Sequence, residues 1–481
     1  MKTLKYIFLL VLSGISLSCT DEIMDEINKN PNNPANVPSR LIITDALNRS
    51  VVSVTNGDYA FYASLFVEHH VGIFNQFYNA EIRNDASMIQ STTYNNAWNS
   101  SYTAMRDLKD VIDKCSEGGI EDGNYHTLGV AQVMMAYNLA VLTDACGDVP
   151  WTEALRPTEY LRPQLDKQQA IYEDVFTLLD AAIANFDKTT TFDPLGAQDV
   201  IYGIQTDPQT YWKKLAYGLK ARYTMRLSYI DPGKYTYSDV VSFAGQSFAD
   251  ASEQASYTYN GATSYNPYYL LFQQRDMYGA STSLRDNMNA ADPRIAKYFV
   301  PHPDNADSLA FAPNGEPTQL QGLYGVSSYF SNSVQPTYLM SFHELKFLEA
   351  EAKERMSAGT GRAAAEEAIQ AAMVAAAIET ADITAYIAAI AGESFDAKYI
   401  MKEKYIASFI VESLEAYADM RRLNVMGEGD YITLQNPQPT KFPLRFTYGA
   451  DDVNNNTFVR DAQGDGRFIY TEQVWWAGGD R

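Results

Sequence analysis

The chain has 481 residues but only five histidines and three cysteines, and their spacing restricts the chemistry they could carry out. His69 and His70 are neighbours, and on a helix adjacent side chains point about 100° apart, so the pair cannot face one metal ion. The stretch "HELKF", His343 to Phe347, has the first half of the zinc motif HExxH but lacks its second histidine. In "DAQGDGRFIYTE", Asp461, Gln463, Asp465, Gly466 and Glu472 fall at calcium-loop positions 1, 3, 5, 6 and 12. Glutamine is wrong at the second of these, and the flanks do not read as paired helices, so a glycine-rich turn is expected there. No GxSxG, P-loop, GxGxxG or CxxC motif occurs. Carboxylates are plentiful enough for a glycosidase pair, but nothing in the sequence selects two at the required separation. No catalytic residue, metal ligand or cofactor is therefore expected.

What the chain has in quantity is aromatic surface: 34 Tyr, 22 Phe and 5 Trp. Aromatic rings cover the flat C–H faces of sugars while Asn, Asp, Arg and Gln bind hydroxyls, and a tyrosine-lined loop could equally grip an extended peptide. Trp98, Tyr102 and Trp212 sit on helical stripes and are expected in the core. Tyr78, Tyr268, Tyr269, Tyr278, Tyr324 and Tyr329 lie in loop-like contexts and are the candidate ligand contacts.

The elements that would position them are mostly helical. From Tyr94 to about Cys115, Trp98, Tyr102, Met105, Leu108 and Ile112 recur at steps of three or four, and Gly118-Gly119 ends the pattern. A second helix, about Tyr125 to Cys146, is expected to run antiparallel to it. Asp166 opens a third segment with Gln169 as a capping-box-like partner, and Asp207-Pro208 opens a fourth that Asp231-Pro232-Gly233 closes. Further helices are expected over about 337–357, 361–391 and 395–424. Antiparallel pairs of this size suggest a tetratricopeptide-like scaffold, although no clean 34-residue consensus repeats. Between Tyr257 and Phe330 periodicity disappears into Tyr, Gly, Asn and Ser, as in "SYTYNGATSYNPYYLLFQQRDMYGAS", which predicts loops and short strands carrying function.

The start of the chain sets its location. Lys2 and Lys5 precede an apolar run to Leu17 that is too short for a permanent span of about 20 residues, and it reads as a secretory signal peptide over 1–18. Cleavage before Cys19 would leave a thiol able to carry lipid; ordinary cleavage near Ser18 with a free cysteine is the alternative, and lipidation is expected. Residues 19–38, with "NKNPNNPANVP", read as an extended leash. No later apolar run is expected to span a bilayer. The net charge of -22 opposes binding to nucleic acid or anionic lipid. Cys115 and Cys146 are expected as two separate buried thiols rather than a disulfide.

Several segments together resemble the SusD/RagB family of outer-membrane nutrient-binding lipoproteins of Bacteroidetes. They are the lipidated start with "NKNPNNP", "NNAWNSSYTAMRD" from Asn95, "LTDACGDVPWTEAL" from Leu142, "DPRIAKYF" from Asp292, "ELKFLEAEAKER" from Glu344, and "KEKYIASFIVESLEAYADMRRLN" from Lys402. "FPLRFTYGADDVNNN" from Phe442 and the closing Trp475-Trp476 complete the order. The resemblance implies one mainly helical, tetratricopeptide-like domain over 39–481, with a scaffold at about 39–250 and 337–424. A loop-rich ligand-binding insert at about 251–336 and an irregular C-terminal segment at 425–481 complete it. It also implies a surface-exposed outer-membrane lipoprotein, anchored only through Cys19, that delivers oligosaccharide or oligopeptide to a SusC-like TonB-dependent transporter. A glycan-processing enzyme and a purely structural lipoprotein are the rival readings.

Overall fold

The computed structural model describes residues 36–481, so the signal peptide, Cys19 and most of the leash lie outside the described residues. Helix Asn95–Cys115 buries Ala97, Trp98, Ser101, Ala104, Met105, Leu108, Val111 and Cys115, the stripe that its three- and four-residue spacing predicts. It packs on helix Tyr125–Cys146, which packs in turn on Gln168–Phe186. Pro208–Leu227 continues the series against Gln168–Phe186 and against Tyr237–Ala244, and Phe342–Met356 packs against Tyr237–Ala244, Arg362–Ala375 and Ala397–Ala407. The apolar faces of these helices are too large to leave in water, and laying the helices side by side buries them in one continuous core, with Tyr125–Cys146 covered on nearly every side. The mainly α, tetratricopeptide-like scaffold is thus present.

Helix Tyr125–Cys146 is long and apolar enough to cross a bilayer, contrary to expectation, yet 94% of its apolar window is buried inside the fold. It is the central helix of the core. Gly147 ends it with φ 82, a conformation that costs an L side chain dearly, while its N–H donates to Thr143 O at 2.7 Å. Val149 and Pro150 then pair with Leu165 and Asp166.

Several boundaries differ from the sequence reading. Asp166 caps no helix: its carboxylate accepts the N–H groups of Trp151 at 2.9 Å and Thr152 at 3.0 Å, and the helix starts at Gln168. Residues 337–340 form a strand, paired with Ala255–Tyr257, before the helix at Phe342. The segment expected at 361–391 is two helices, Arg362–Ala375 and Thr380–Ala389, separated where Ala377 takes φ 54. That at 395–424 divides likewise into Ala397–Ala407 and Ser413–Val425 around Ile410, φ 65. Periodicity continues across both breaks because both halves bury apolar residues against the same core.

Residues 251–336 are tied to the helices on either side through two short ladders. Tyr278–Ala280 pairs antiparallel with His70–Gly72, and Ala255–Tyr257 with Thr337–Met340. The C-terminal segment is less irregular than expected, with helices Ala450–Asn455 and Thr457–Gln463. It folds back so that Trp476 is fully buried, its backbone N–H donating to Gln168 Oε1 at 3.2 Å. Cys115 and Cys146 are free and buried, as expected.

Candidate ligand-binding face

The insert presents its exposed residues from a short helix, Pro267–Gln274, whose placement is strongly determined. Asn266 caps it by accepting Tyr268 N–H at 2.8 Å, and its own side-chain amide donates to Gln335 O at 2.9 Å. Beneath the helix runs a stack of four near-parallel rings. Phe272 lies 5.3 Å from Phe330, Phe330 lies 5.6 Å from Tyr278, and Tyr278 lies 4.8 Å from Phe77. Phe272 is half-buried and the other three are buried, so the stack leads from the surface into the core and fixes the helix above it.

On the outer side, Tyr265 and Tyr269 stack at 6.0 Å with their planes 20° apart, both half-exposed. Leu270, Gln273, Gln274 and Arg275 are exposed on the same helix or just beyond it. Asp276 ties this helix to a loop: its carboxylate accepts Gly322 N–H at 2.7 Å and its carbonyl accepts from the Gln321 side chain at 2.7 Å. The far end of that loop is held by Tyr78, whose hydroxyl donates to Pro317 O at 2.7 Å, and by Glu81, which accepts Gly315 N–H at 2.7 Å. Phe74 and Leu320 stand at this edge with 48% and 54% of their surface exposed. Apolar platforms interleaved with amides and one guanidinium suit a ligand that offers both flat C–H surface and hydroxyl or peptide groups.

The six candidate tyrosines separate on this surface. Tyr78 and Tyr269 are half-exposed and belong to it. Tyr268 and Tyr278 are 1% exposed, their hydroxyls donating to Ala60 O at 3.1 Å and Phe61 O at 3.3 Å, and burial pushes the Tyr268 phenol up to about 12. Tyr329 is buried against Tyr298, with ring centroids 5.8 Å apart. Tyr324 packs in a small separate cluster with Val71, Ile73 and Ala312. A Tyr- and Gly-rich sequence does not tell a ring that props a loop from one that faces out of it. Phe74, Tyr265 and Leu320 were missed for the same reason: only their exposure distinguishes them.

The other sequence candidates resolve plainly. His69 and His70 are buried, and burial pushes the His69 ring down to about 3, leaving it neutral. His343 Nε2 lies 3.2 Å from Glu412, not beside a metal site. Gln463 turns away from the supposed calcium loop, donating to Ile89 O and accepting Tyr448 N–H. Among the described residues no group of three or more His, Cys, Asp or Glu is placed to hold a metal ion.

Comparison with known proteins agrees with this architecture. A family model of SusD-like proteins, described as "starch-binding associating with outer membrane", matches residues 31–448. A solved SusD/RagB family protein from Bacteroides thetaiotaomicron is 36% identical and superposes with a TM-score of 0.84, covering 93% of this chain and 100% of its own. A chitin-binding SusD homologue from Flavobacterium johnsoniae is 17% identical, with a TM-score of 0.71 over 90% of this chain and 98% of its own, and shares the fold. A SusD homologue from Bacteroides fragilis is 20% identical, with a TM-score of 0.72 over 92% of this chain and 100% of its own. No curated protein matches the chain. With residues 31–448 matched by the family model and a 36% identical family member superposing over 93% of its length, the chain belongs to the SusD/RagB family.

Proposed function

We propose that this protein is a non-catalytic receptor that captures oligosaccharides outside the outer membrane and passes them to a SusC-type TonB-dependent transporter. The observation that carries the reading is the stacked Tyr265–Tyr269 pair, flanked by exposed Gln273, Gln274 and Arg275 on a helix held rigidly by the ring stack below. Two parallel rings offer consecutive sugar units a platform, and the long polar side chains beside them reach hydroxyls. The family description favours glycan over peptide. Lipid on Cys19 and the polar leash behind it would let the body rest on a barrel partner while remaining membrane-bound.

The test is to incubate the purified chain with a mixed library of oligosaccharides and oligopeptides, and to identify by native mass spectrometry what is retained. Retained oligosaccharide of unchanged length, lost in Tyr269→Ala, is expected. Retained peptide alone would transfer the role to peptide uptake, and shortened sugars would make the protein an enzyme. Mild extraction of the lipidated protein from its own membrane should bring a barrel transporter with it; recovery of the protein alone would sink the transporter assignment.

A further inference from the structure

Arg83 is the one buried arginine among the described residues with a single hydrogen bond and no ion pair. Arg222, Arg226, Arg294 and Arg422 each meet carboxylates, Arg421 donates to two carbonyls outside its own helix, and Arg445 has both a carbonyl and Glu472. Arg83 is 2% exposed, yet its one hydrogen bond runs from Nη1 to the nearby Ala80 O at 3.0 Å, and its Nε has no partner. It forms no ion pair among the described residues, and its guanidinium lies over the Phe66 ring at 5.2 Å. The Glu68 and Glu81 carboxylates feel its charge from beyond ion-pair distance and are themselves bonded to backbone N–H groups, so the cost of burying the guanidinium is only partly offset.

The residue lines a cavity of about 350 Å³, within the size range of small-molecule sites. Leu423, Leu434 and Phe442 line its walls, while Asn424 and Thr440, both exposed, stand where it meets solvent. Tyr470 also lines it, with a buried hydroxyl that has no hydrogen-bond partner. Glu68 lines it as well, but both carboxylate oxygens are committed to backbone, accepting Gln435 N–H at 2.7 Å and Asn436 N–H at 2.9 Å. The amides of Asn436 and Gln438 are likewise spent on Glu81 O and Ile82 O. Six residues other than glycine have positive φ among those described, and two of them, Glu68 at 57° and Arg83 at 51°, line this cavity. Strained backbone of this kind persists where the surroundings hold a side chain in a required place.

We propose that this cavity is a binding site for a small carboxylate with an apolar body, its carboxylate on Arg83 and its body against Leu423, Leu434 and Phe442. A cation is opposed by Arg83. A free sugar would leave its hydroxyls unpaired against apolar walls, because the nearby amides are already in use. The site is independent of the Tyr265–Tyr269 face, so its failure would leave the receptor reading standing, and the reverse.

The experiment is calorimetric titration of the purified chain with two probe acids, 3-phenylpropanoate and 4-methylpentanoate, each against its neutral amide. The acids should bind at least tenfold more tightly than the amides. Leu434→Trp, which fills the cavity and leaves Arg83 in place, should abolish binding, and Arg83→Met should remove the preference for acid over amide. Equal binding of acid and amide, no binding of either acid, or undiminished binding in folded Leu434→Trp would each overturn the proposal. Leu434→Trp decides the matter if Arg83→Met fails to fold.

Discussion

Arg421 Nη1 donates to the backbone carbonyl of Asp144 at 2.8 Å, joining residues 277 positions apart in the chain. The same nitrogen donates to Leu444 O at 3.2 Å, and the guanidinium lies 4.0 Å from the Tyr417 ring centroid and 4.8 Å from that of Trp476. The Asp144 carboxylate meanwhile pairs with Arg226 and accepts from Tyr172. Four sequence segments therefore close on one guanidinium: the end of the central helix, the "MRRLN" helix, the "FPLRF" run and the terminal tryptophans. Burial pushes the Arg421 side chain down to about 10, still charged at neutral pH.

Arg421→Lys tests that node. A single ammonium cannot reach both carbonyls while lying flat between two rings, so two hydrogen bonds and most of the stacking are lost together. The expected cost is about 2–4 kcal/mol, from hydrogen bonds to a charged donor worth about 1.5–3 each, partly retained, and cation–π contacts worth about 2 when desolvated. Chemical denaturation should show a lower midpoint with an unchanged slope; an unchanged midpoint would mean that the charge alone holds the node.

Tyr268 and Tyr269 are adjacent in sequence and should behave oppositely. Tyr268→Ala removes a ring that lies 4.8 Å from Phe61 and 5.8 Å from Phe330, and should cost about 3–5 kcal/mol of stability. Tyr269→Ala exposes little more of the core and should stay within about 1 kcal/mol, while weakening glycan binding at least tenfold. Thermal melts and ligand titration on the same two proteins separate the effects. Equal destabilisation would show that Tyr269 is also a packing residue.

How much of this was legible in the sequence depends on what each residue answers to. Helix Asn95–Cys115 was readable because its stripe has one partner surface and one period. The familial order was readable because its segments pack on one another: Trp98 Nε1 donates to Asp452 at 2.7 Å, and a Cβ at Gly449 would stand 2.4 Å from the Trp98 ring. The breaks at Ala377 and Ile410 were not, since neither residue type announces a positive φ. Within the insert, exposure is decided by contacts from elsewhere in the chain. Tyr278 is buried because Phe77 and Phe330 sandwich it, and neither lies beside it in sequence.

His70 offers a stabilising substitution. Its ring lies 5.0 Å from Phe330 and 4.9 Å from Tyr278, and neither of its buried nitrogens has a hydrogen-bond partner. His70→Phe keeps the ring and removes two unsatisfied polar atoms, whose burial costs about 1–3 kcal/mol each. A gain of about 1–2 kcal/mol is expected at pH 7, the remainder being lost to fitting a slightly larger ring. Burial holds the folded His70 pKa well below its ordinary 6.5, so the wild type loses stability as pH falls through that value and the unfolded chain takes up a proton. The advantage of the variant should therefore widen below about pH 6.5, and an advantage that shrinks on acidification would contradict the buried, neutral ring.

Glu81 titrates in the opposite sense. It is 1% exposed and accepts Gly72 N–H at 3.1 Å and Gly315 N–H at 2.7 Å, tying the helix at Asn75 to the loop that borders the candidate face. Burial, opposed by the nearby Arg83 charge, pushes its carboxyl up from 4.5 to about 7. The folded state then holds its proton to higher pH than the unfolded chain does. Stability from this group is complete below about pH 4.5 and is lost as pH rises toward 7. Glu81→Gln cannot ionise, so its stability relative to wild type should rise across that window and level off above it, whatever fixed amount the amide costs by presenting its NH₂ to a backbone donor. Melting temperatures of the two proteins at half-unit steps from pH 4.5 to 8 give the difference curve. A flat curve would place the folded carboxyl at its ordinary value and a falling one below it. The rising curve carries a consequence for the face itself: burial raises the Glu81 carboxyl, so the anchor of the loop ending at Gly322 changes charge as this group titrates, while its two backbone donors remain.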